Sequence, residues 1–167
     1  LLLFKKKFRE ETYNKLVGTY IESHENMTHC EYVRQADIGE RKILLLRHDI
    51  DDDFLTSMKI ADWEYRHGLK ATYCVLHTKW YYGHLEGNRI IHTHDLEYLC
   101  KYIIDRGHEI NFHNNLVTLS LTHAVNPANL LMQELEYFHS LGVKITGTSS
   151  HGDWLCHKLK FRNMEIN

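Results

Sequence analysis

Residues 47–53 read Arg47-His48-Asp49-Ile50-Asp51-Asp52-Asp53 and directly follow the apolar run Ile43-Leu44-Leu45-Leu46. An apolar run of this length is typical of a strand buried in a sheet. The four carboxylates that follow within five residues carry charge from a hydrophobic interior to one rim of the fold. Because such charge is costly to bury unless it is paired or binds a cation, the pattern indicates a metal site or a cationic partner at that rim.

Two later segments end in a similar way, with a histidine in place of the aspartates. His113 follows Ile110-Asn111-Phe112, and His151 follows residues 145–150. Each segment comes after a predicted helix and has the character of a strand. Because the carboxyl ends of parallel strands share one face of an α/β fold, we expect the aspartates and both histidines to meet there.

The chain alternates predicted strands and helices, and a helix, a glycine and a strand follow one another three times. The glycines are Gly68, Gly107 and Gly142. The polar segment before the first strand, residues 25–41, is predicted to be a connector. Apolar periodicity predicts helices at residues 5–24, 53–67, 94–106 and 127–141, and strands at residues 43–49, 70–76, 108–112 and 144–148.

This alternation predicts an α/β fold with parallel strands and with helices packed outside them. A closed eight-stranded barrel takes ~250 residues, whereas this chain has 167 residues and four predicted core strands. We therefore expect an incomplete or truncated (β/α) barrel with an N-terminal helical extension. Residues 1–41 would form the N-terminal helix and connector, and residues 42–167 a (β/α) domain that lacks its C-terminal part.

Composition places the chain among ordinary globular proteins, with 43% hydrophobic and 25% charged residues. The formal net charge of -2 provides no basic field, so nucleic acid is not an expected partner. No stretch approaches the ~18–20 apolar residues of a membrane span. The four cysteines are widely spaced without a Cys-x-x-Cys pair, which predicts free thiols, a reducing compartment and a cytoplasmic location.

Strand geometry relates the residues of the acidic stretch to one another. Alternate residues share a face, so Arg47, Asp49 and Asp51 point one way. The two aspartates can then reach one centre, with Arg47 below them as a charge partner. Together with His113 and His151, one carboxylate makes a common shell for a divalent metal, and a second carboxylate can act as general base. Zinc is the default metal, but such a shell also suits iron, nickel or manganese.

Structural roles are the alternative for several of these residues. Asp52 or Asp53 fits the N-cap of the following helix, because acids are favourable at that end of the helix dipole. Asp49 fits a capping role poorly, because it still lies within the predicted strand. His113 could be a turn residue beside two asparagines, and His151 a loop residue next to a glycine.

Three other groups of residues have ready structural explanations. In His92-Thr93-His94-Asp95, Thr93 or Asp95 is expected to cap a helix, so the histidines are not expected to bind metal. His108 lies at the opposite end of its strand from the proposed site and is expected to be structural. The aromatic loop Trp80-Tyr81-Tyr82 is either a sugar-stacking platform or simple loop packing.

These segments together resemble the polysaccharide deacetylase superfamily, the chitooligosaccharide-deacetylase-like carbohydrate esterases. The match is to the subgroup whose first motif reads Arg-His-Asp-Val-Asp, and here that motif is Arg47-His48-Asp49-Ile50-Asp51. Lys70-Ala71-Thr72-Tyr73 is similar to the second strand of the family, and residues 107–115 to its histidine motif. Ser149-Ser150-His151-Gly152 is similar to a later His-Gly motif, so the resemblance covers about residues 40–155.

The resemblance implies an incomplete (β/α) barrel and a metal-dependent amide hydrolase. Such enzymes remove an acetyl group from an N-acetylated sugar or polysaccharide, so a carbohydrate is the expected partner. Carried over to this chain, the resemblance makes Asp49 the general base. It makes Asp51 and His113 ligands of a divalent metal, with zinc as the first choice.

Two departures from the family pattern change the expected site. Most members carry a second histidine four residues after the first, and this chain has Val117 there, so we assign the third metal ligand to His151. The family also has an Arg-x-Pro-Tyr motif that steadies the base. The only proline here is Pro127, which leaves Arg47 as the substitute. His151 could instead protonate the departing amine, and the alternative function is an inactive carbohydrate-binding or scaffold domain of the same fold.

Overall fold

The structure is a computed structural model that describes residues 8–165. The predicted helix at residues 5–24 therefore lies partly outside the described residues. In chain order the elements are α1 (Glu10–Ile21), β1 (Glu25–Asn26), α2 (His29–Val33), β2 (Ile43–Leu44), β3 (Arg47–Ile50), α3 (Phe54–Arg66), β4 (Thr72–Leu76), β5 (Gly83–Glu86), β6 (Arg89–His92), α4 (His94–Ile104), β7 (Glu109–Asn114), α5 (Leu116–His123), α6 (Pro127–Ser140), β8 (Thr148–Ser150) and α7 (Trp154–Leu159).

The centre of the fold is a parallel sheet of four strands in the order β3-β4-β7-β8. The sheet curls into half of a barrel with helices around it, and the N-terminal helix α1 is an extension outside it. The register pairs Asp49 with Cys74, Leu76 with His113, and His113 with Ser149. The predicted α/β class with parallel strands is confirmed, and the half-barrel is compatible with a truncated (β/α) barrel.

Helix ends and glycines lie where the sequence predicted them. Asp53 caps α3 by accepting a hydrogen bond from the Thr56 amide, and Thr93 caps α4 by accepting one from the Leu96 amide. The glycines that end α3, α4 and α6 have positive φ angles of 69°, 76° and 74°. A left-handed residue of this kind ends a helix at little cost only when it is glycine.

A continuous apolar core joins the sheet to the helices. Strand β4 is buried along its whole length, since it lies between two other strands. Helix α4 buries one face, and each large apolar side chain that is fully buried stabilises the fold by about 1.5–3 kcal/mol. The helical spacing predicts an inward face of Leu96, Leu99, Cys100, Ile103 and Ile104. The first four are buried as predicted, and Ile104 is exposed.

Helix α3 is buried on a second face that the sequence reasoning missed. The helical spacing of Phe54, Met58, Ala61 and Tyr65 predicts that all four face inward, but Tyr65 is 56% exposed, whereas Trp63 is buried. Trp63 packs with Val17 and Leu69 in a small second core under α1. The prediction for Tyr65 was therefore wrong, and the face of α3 that α1 covers was not predicted.

Two of the predicted strands have different bounds. The strand at 43–49 is divided, because Ile43–Leu44 pairs with β1 and only Arg47–Ile50 enters the main sheet. Its apolar run is only half-buried, so its interpretation as a buried strand was wrong. The strand predicted at 144–148 lies at Thr148–Ser150. The Asn111 side chain explains the shift, because its Oδ1 accepts the amide hydrogens of residues 146 and 147 at 2.9 Å.

The segment after β4 contains a hairpin instead of an unstructured loop. Strands β5 and β6 are antiparallel and turn at Gly87, whose φ is 59°. Tyr81 and Tyr82 are fully buried, while Trp80 is 60% exposed. Loop packing therefore accounts for the two tyrosines but not for the tryptophan. Four further short elements were also not predicted, namely β1, α2, α5 and α7.

Two expectations from composition concern the cysteines and membrane-spanning helices. All four cysteines lie within the described residues and are free thiols, as predicted. Among residues 8–165, no helix combines the length and the apolar character that a bilayer crossing requires.

Candidate metal centre

Asp51, His113 and His151 bring their side chains together at the carboxyl ends of the sheet strands. His113 Nε2 lies 3.5 Å from Asp51 Oδ1, and His151 Nδ1 lies 3.6 Å from the same oxygen. The two imidazole nitrogens are 3.2 Å apart. All three potential ligand atoms lie within 4.8 Å of one another. The structure thus unites three groups that are far apart in the sequence.

The backbone of the sheet fixes the two imidazoles. His113 is the fifth residue of β7 and is buried, and its Nδ1 donates a hydrogen bond to the Ser149 carbonyl oxygen at 2.9 Å. That bond places the ring proton on Nδ1 and leaves the Nε2 lone pair facing Asp51. His151 follows β8 directly, and its amide donates to the Asn114 carbonyl oxygen at 2.8 Å. The strand pairing therefore orients the His113 ring directly, and it positions the backbone that carries His151.

The separations suit a divalent cation. With zinc bonds to nitrogen and oxygen of about 2.0–2.1 Å, two ligand atoms on a tetrahedral ion stand roughly 3.3–3.4 Å apart. The observed separations of 3.2, 3.5 and 3.6 Å lie close to that value. Two imidazoles and one carboxylate also form a common shell that leaves coordination positions open for water and substrate. The residues present therefore fit such an ion.

The charge state of His151 agrees with a ligand role. Burial and the neighbouring His113 lower the pKa of His151, and these two effects outweigh the opposing carboxylate of Asp51. A lowered pKa keeps the imidazole neutral at pH 7, which is the form that binds metals. The Nδ1 of His151 points at the other two ligand atoms, so the ligand role fits the geometry better than the role of a remote acid.

Asp49 lies beside this group but is not one of its three members. Its Oδ2 is 3.9 Å from His113 Nε2 and accepts a hydrogen bond from the Arg47 guanidinium at 3.2 Å. The predicted pairing of Arg47 with the Asp49 carboxylate is thus observed. Burial and the charge of Asp49 raise the pKa of the adjacent Cys74 to about 12. That thiol stays protonated, so it is no candidate nucleophile.

The remaining acids of the run have different neighbours. Asp53 is the N-cap of α3, which confirms the capping alternative for this residue. Asp52 is exposed and lies 3.6 Å from the Lys79 ammonium. The four aspartates therefore have four different roles. Asp49 lies beside the metal group and Asp51 is a potential ligand, while Asp52 is in a surface ion pair and Asp53 caps a helix.

Residues from distant segments support the centre and were not found from the sequence. The side chain of Asn163 is fully buried, and its Nδ2 donates to the His151 carbonyl oxygen and to Asn115 Oδ1, both at 2.8 Å. The family-like position 117 is on α5, where Val117 offers no ligand atom. No local pattern marks Asn163, because its role arises only when the C-terminal segment packs against β7 and α5.

A buried carboxylate underlies the strand that carries Asp49. Glu64 on α3 is fully buried and lies 2.7 Å from His48 Nε2. Tyr13 and Tyr73 donate hydrogen bonds to it at 2.6 and 2.5 Å. His48 alternates with Arg47 and Asp49 along β3, so its side chain faces away from the metal group and toward Glu64. The network ties α1, β3, α3 and β4 together immediately behind the centre.

The histidines that were expected to be structural are found in structural positions. His108 is buried, accepts the Ala71 amide hydrogen at Nδ1 and donates from Nε2 to the Ala61 carbonyl oxygen. His94 is fully exposed at the start of α4, and His92 lies 2.9 Å from the buried carboxylate of Glu134. None of the three belongs to the metal group in the described part of the chain.

Comparison of the chain with known proteins gave no match among family models, curated proteins or solved structures.

Proposed function

We propose that this chain is a metal-dependent hydrolase that removes an acetyl group from an N-acetylated sugar or polysaccharide. The observation that carries the proposal is the convergence of Asp51, His113 and His151, with the Asp49 carboxylate 3.9 Å from His113. A ligand trio beside a separate carboxylate suits the hydrolysis of an amide by metal-activated water and a general base. The resemblance of the motifs to polysaccharide deacetylases supplies the substrate class.

In this proposal Asp51, His113 and His151 hold a divalent ion, with zinc as the first choice. When bound, such an ion polarises the acetyl carbonyl and makes water a stronger nucleophile. Asp49 accepts a proton from the attacking water as the water oxygen adds to the carbonyl carbon, and the C–N bond is still intact at this point. The same carboxyl group then returns the proton to the nitrogen as the C–N bond breaks, so that acetate and a free amino sugar are formed. Arg47 holds the Asp49 carboxylate in place.

The free thiols of all four cysteines support a reducing, cytoplasmic location as part of this proposal. A carbohydrate is the proposed partner. The alternative is a carbohydrate-binding or scaffold domain that has the fold without the chemistry. This alternative rests on two departures from the family pattern. The chain has Val117 where most members have a second histidine, and it has no Arg-x-Pro-Tyr motif.

Acetate release from N-acetylglucosamine oligomers tests the proposal directly. We expect release in the presence of added zinc, complete loss with a chelator, and recovery when zinc is returned. His113→Ala should remain inactive at every zinc concentration, whereas His139→Ala, an exposed histidine of α6, should behave as wild type. Sugar binding without acetate release, in a protein loaded with zinc, would favour the alternative.

A further inference from the structure

Asp51 is the potential ligand that lies just past the end of its strand. The pairing of β3 with β4 ends at Ile50, the residue before Asp51. The Asp51 side chain is 54% exposed, whereas that of His113, within the paired strand β7, is 4% exposed. Metal affinity depends on the groups that orient the ligands. The contacts that fix the backbone beside Asp51 therefore matter more than those of a residue inside the sheet.

A side-chain hydroxyl occupies the position of the last hydrogen bond between β3 and β4. In a parallel pair these bonds are evenly spaced. The Thr72 amide donates to the Leu46 carbonyl oxygen at 2.9 Å. Four residues along both strands, from 46 to 50 and from 72 to 76, the same register would direct the Leu76 amide to the Ile50 carbonyl oxygen. Instead, the Leu76 amide donates to the Tyr81 hydroxyl oxygen at 3.0 Å, and that hydroxyl donates to the Ile50 carbonyl oxygen at 2.5 Å.

The surroundings of Tyr81 hold its hydroxyl between the two strands. The side chain is fully buried, and burial raises the pKa of Tyr81, so the hydroxyl stays protonated and remains a donor. The ring packs on that of Phe54, the first residue of α3, with centroids 5.7 Å apart. The Thr93 hydroxyl donates to the backbone carbonyl oxygen of Tyr81. The ring and the backbone of this residue are thus both fixed by neighbouring elements.

The bridging hydroxyl sets how far the end of β3 stands from β4. A direct bond between amide and carbonyl brings nitrogen and oxygen to about 2.9 Å, whereas an inserted oxygen atom keeps them further apart. Leu76, on the β4 side of the bridge, is also the register partner of His113 on β7. One hydroxyl therefore connects the backbone beside Asp51 with the strand position that lies next to His113.

We propose that Tyr81 is a positioning residue for the potential metal ligand Asp51. Its hydroxyl holds the Ile50 carbonyl group, and with it the place of the following carboxylate relative to His113. This inference rests on the metal centre of the proposed function, and it gives the buried Tyr81 of the aromatic loop a role beyond packing.

The zinc affinity of the Tyr81→Phe protein tests the proposal without any contribution from hydrolysis. The change removes one oxygen atom and leaves the ring, so the Leu76 amide and the Ile50 carbonyl group lose their shared partner. We expect Tyr81→Phe to bind zinc about 10–100-fold more weakly than wild type, measured in competition with a chromophoric chelator. At saturating cobalt, its visible absorption band should be shifted from that of wild type, because the carboxylate ligand has moved.

Tyr82→Phe is the matched control for this experiment. Tyr82 is the next residue and is equally buried, but its hydroxyl donates to Glu134 on α6. Both variants should be less stable to urea than wild type, because each loses a buried hydrogen bond. The zinc Kd and the cobalt spectrum of Tyr82→Phe should nevertheless match those of wild type. The comparison separates an effect on the ligand from a general loss of stability.

The proposal is wrong if either the zinc Kd or the cobalt spectrum of Tyr81→Phe is that of wild type, or if Tyr82→Phe loses zinc affinity to the same extent. An acetate-release assay on zinc-loaded wild type separates this failure from failure of the proposed function. Acetate release, with equal zinc affinities in all three proteins, would remove only the role of Tyr81. Weaker zinc binding by Tyr81→Phe, without acetate release by wild type, would retain that role and remove the deacetylase.

Discussion

The Asp49→Asn protein is expected to release acetate about 10²–10⁴-fold more slowly than wild type while it still binds zinc. Asparagine has nearly the same shape and can still accept the hydrogen bond from Arg47, but it cannot take a proton from water. Because Asp49 is not one of the three potential ligands, zinc affinity should change little. The measurement is the rate of acetate release at saturating zinc, together with the zinc content of the same sample.

Asp52→Asn is the matched control for this prediction. It removes a carboxylate from the same run, but from an exposed position whose neighbour is Lys79. Its rate should stay within about threefold of wild type, because exposed ion pairs contribute little. Equal rates for the Asp49→Asn and Asp52→Asn proteins would contradict the assignment of Asp49 as general base.

The Glu64→Leu protein is expected to lose about 3–5 kcal/mol of unfolding free energy. Leucine fills a similar volume but accepts no hydrogen bond, so the buried hydroxyl of Tyr73, the partly buried hydroxyl of Tyr13 and the imidazole of His48 would lose their acceptor. Urea denaturation at pH 7 measures the effect. Glu136→Leu, at an exposed position on α6, is the control and should cost less than about 0.5 kcal/mol.

The same carboxylate predicts an acid-sensitive part of the stability. Burial opposes ionisation of Glu64, but hydrogen bonds from His48, Tyr13 and Tyr73 outweigh it and lower the pKa of Glu64. A lowered native pKa stabilises the fold above the unfolded-state pKa of about 4.3, and this contribution is lost as pH falls through the native value. The difference in unfolding free energy between wild type and the Glu64→Leu protein should therefore shrink below about pH 4. A constant difference from pH 7 down to pH 3 would contradict the ionised state of Glu64.

Capping residues and apolar periodicity predicted the main helices, because both signals lie within a few residues of the helix itself. Helices α3, α4 and α6 begin at capping side chains that the sequence displays, such as Asp53 and Thr93. The hairpin was missed although Gly87-Asn88 is a recognised turn pair. The last strand was misplaced because its start depends on Asn111, a side chain about 35 residues earlier in the chain.

The candidate site could be predicted in outline, because the carboxyl ends of parallel strands lie at the same edge of a sheet whatever their exact register. What holds the site could not be predicted from local sequence. The proton position of His113 depends on the Ser149 carbonyl, and the place of His151 depends on Asn163. The network around Glu64 joins residues that are up to 51 positions apart. Such pairs become neighbours only through tertiary packing, so no spacing rule reveals them.

Zinc content measured on the purified chain, after dialysis against zinc and then against buffer, tests the account most directly. We expect one zinc per wild-type chain, and near-zero zinc in His113→Ala, His151→Ala and Asp51→Ala proteins that remain folded by circular dichroism. His139→Ala should keep the full equivalent. A wild-type chain without stoichiometric zinc, or ligand variants that retain all of it, would contradict the proposed metal centre.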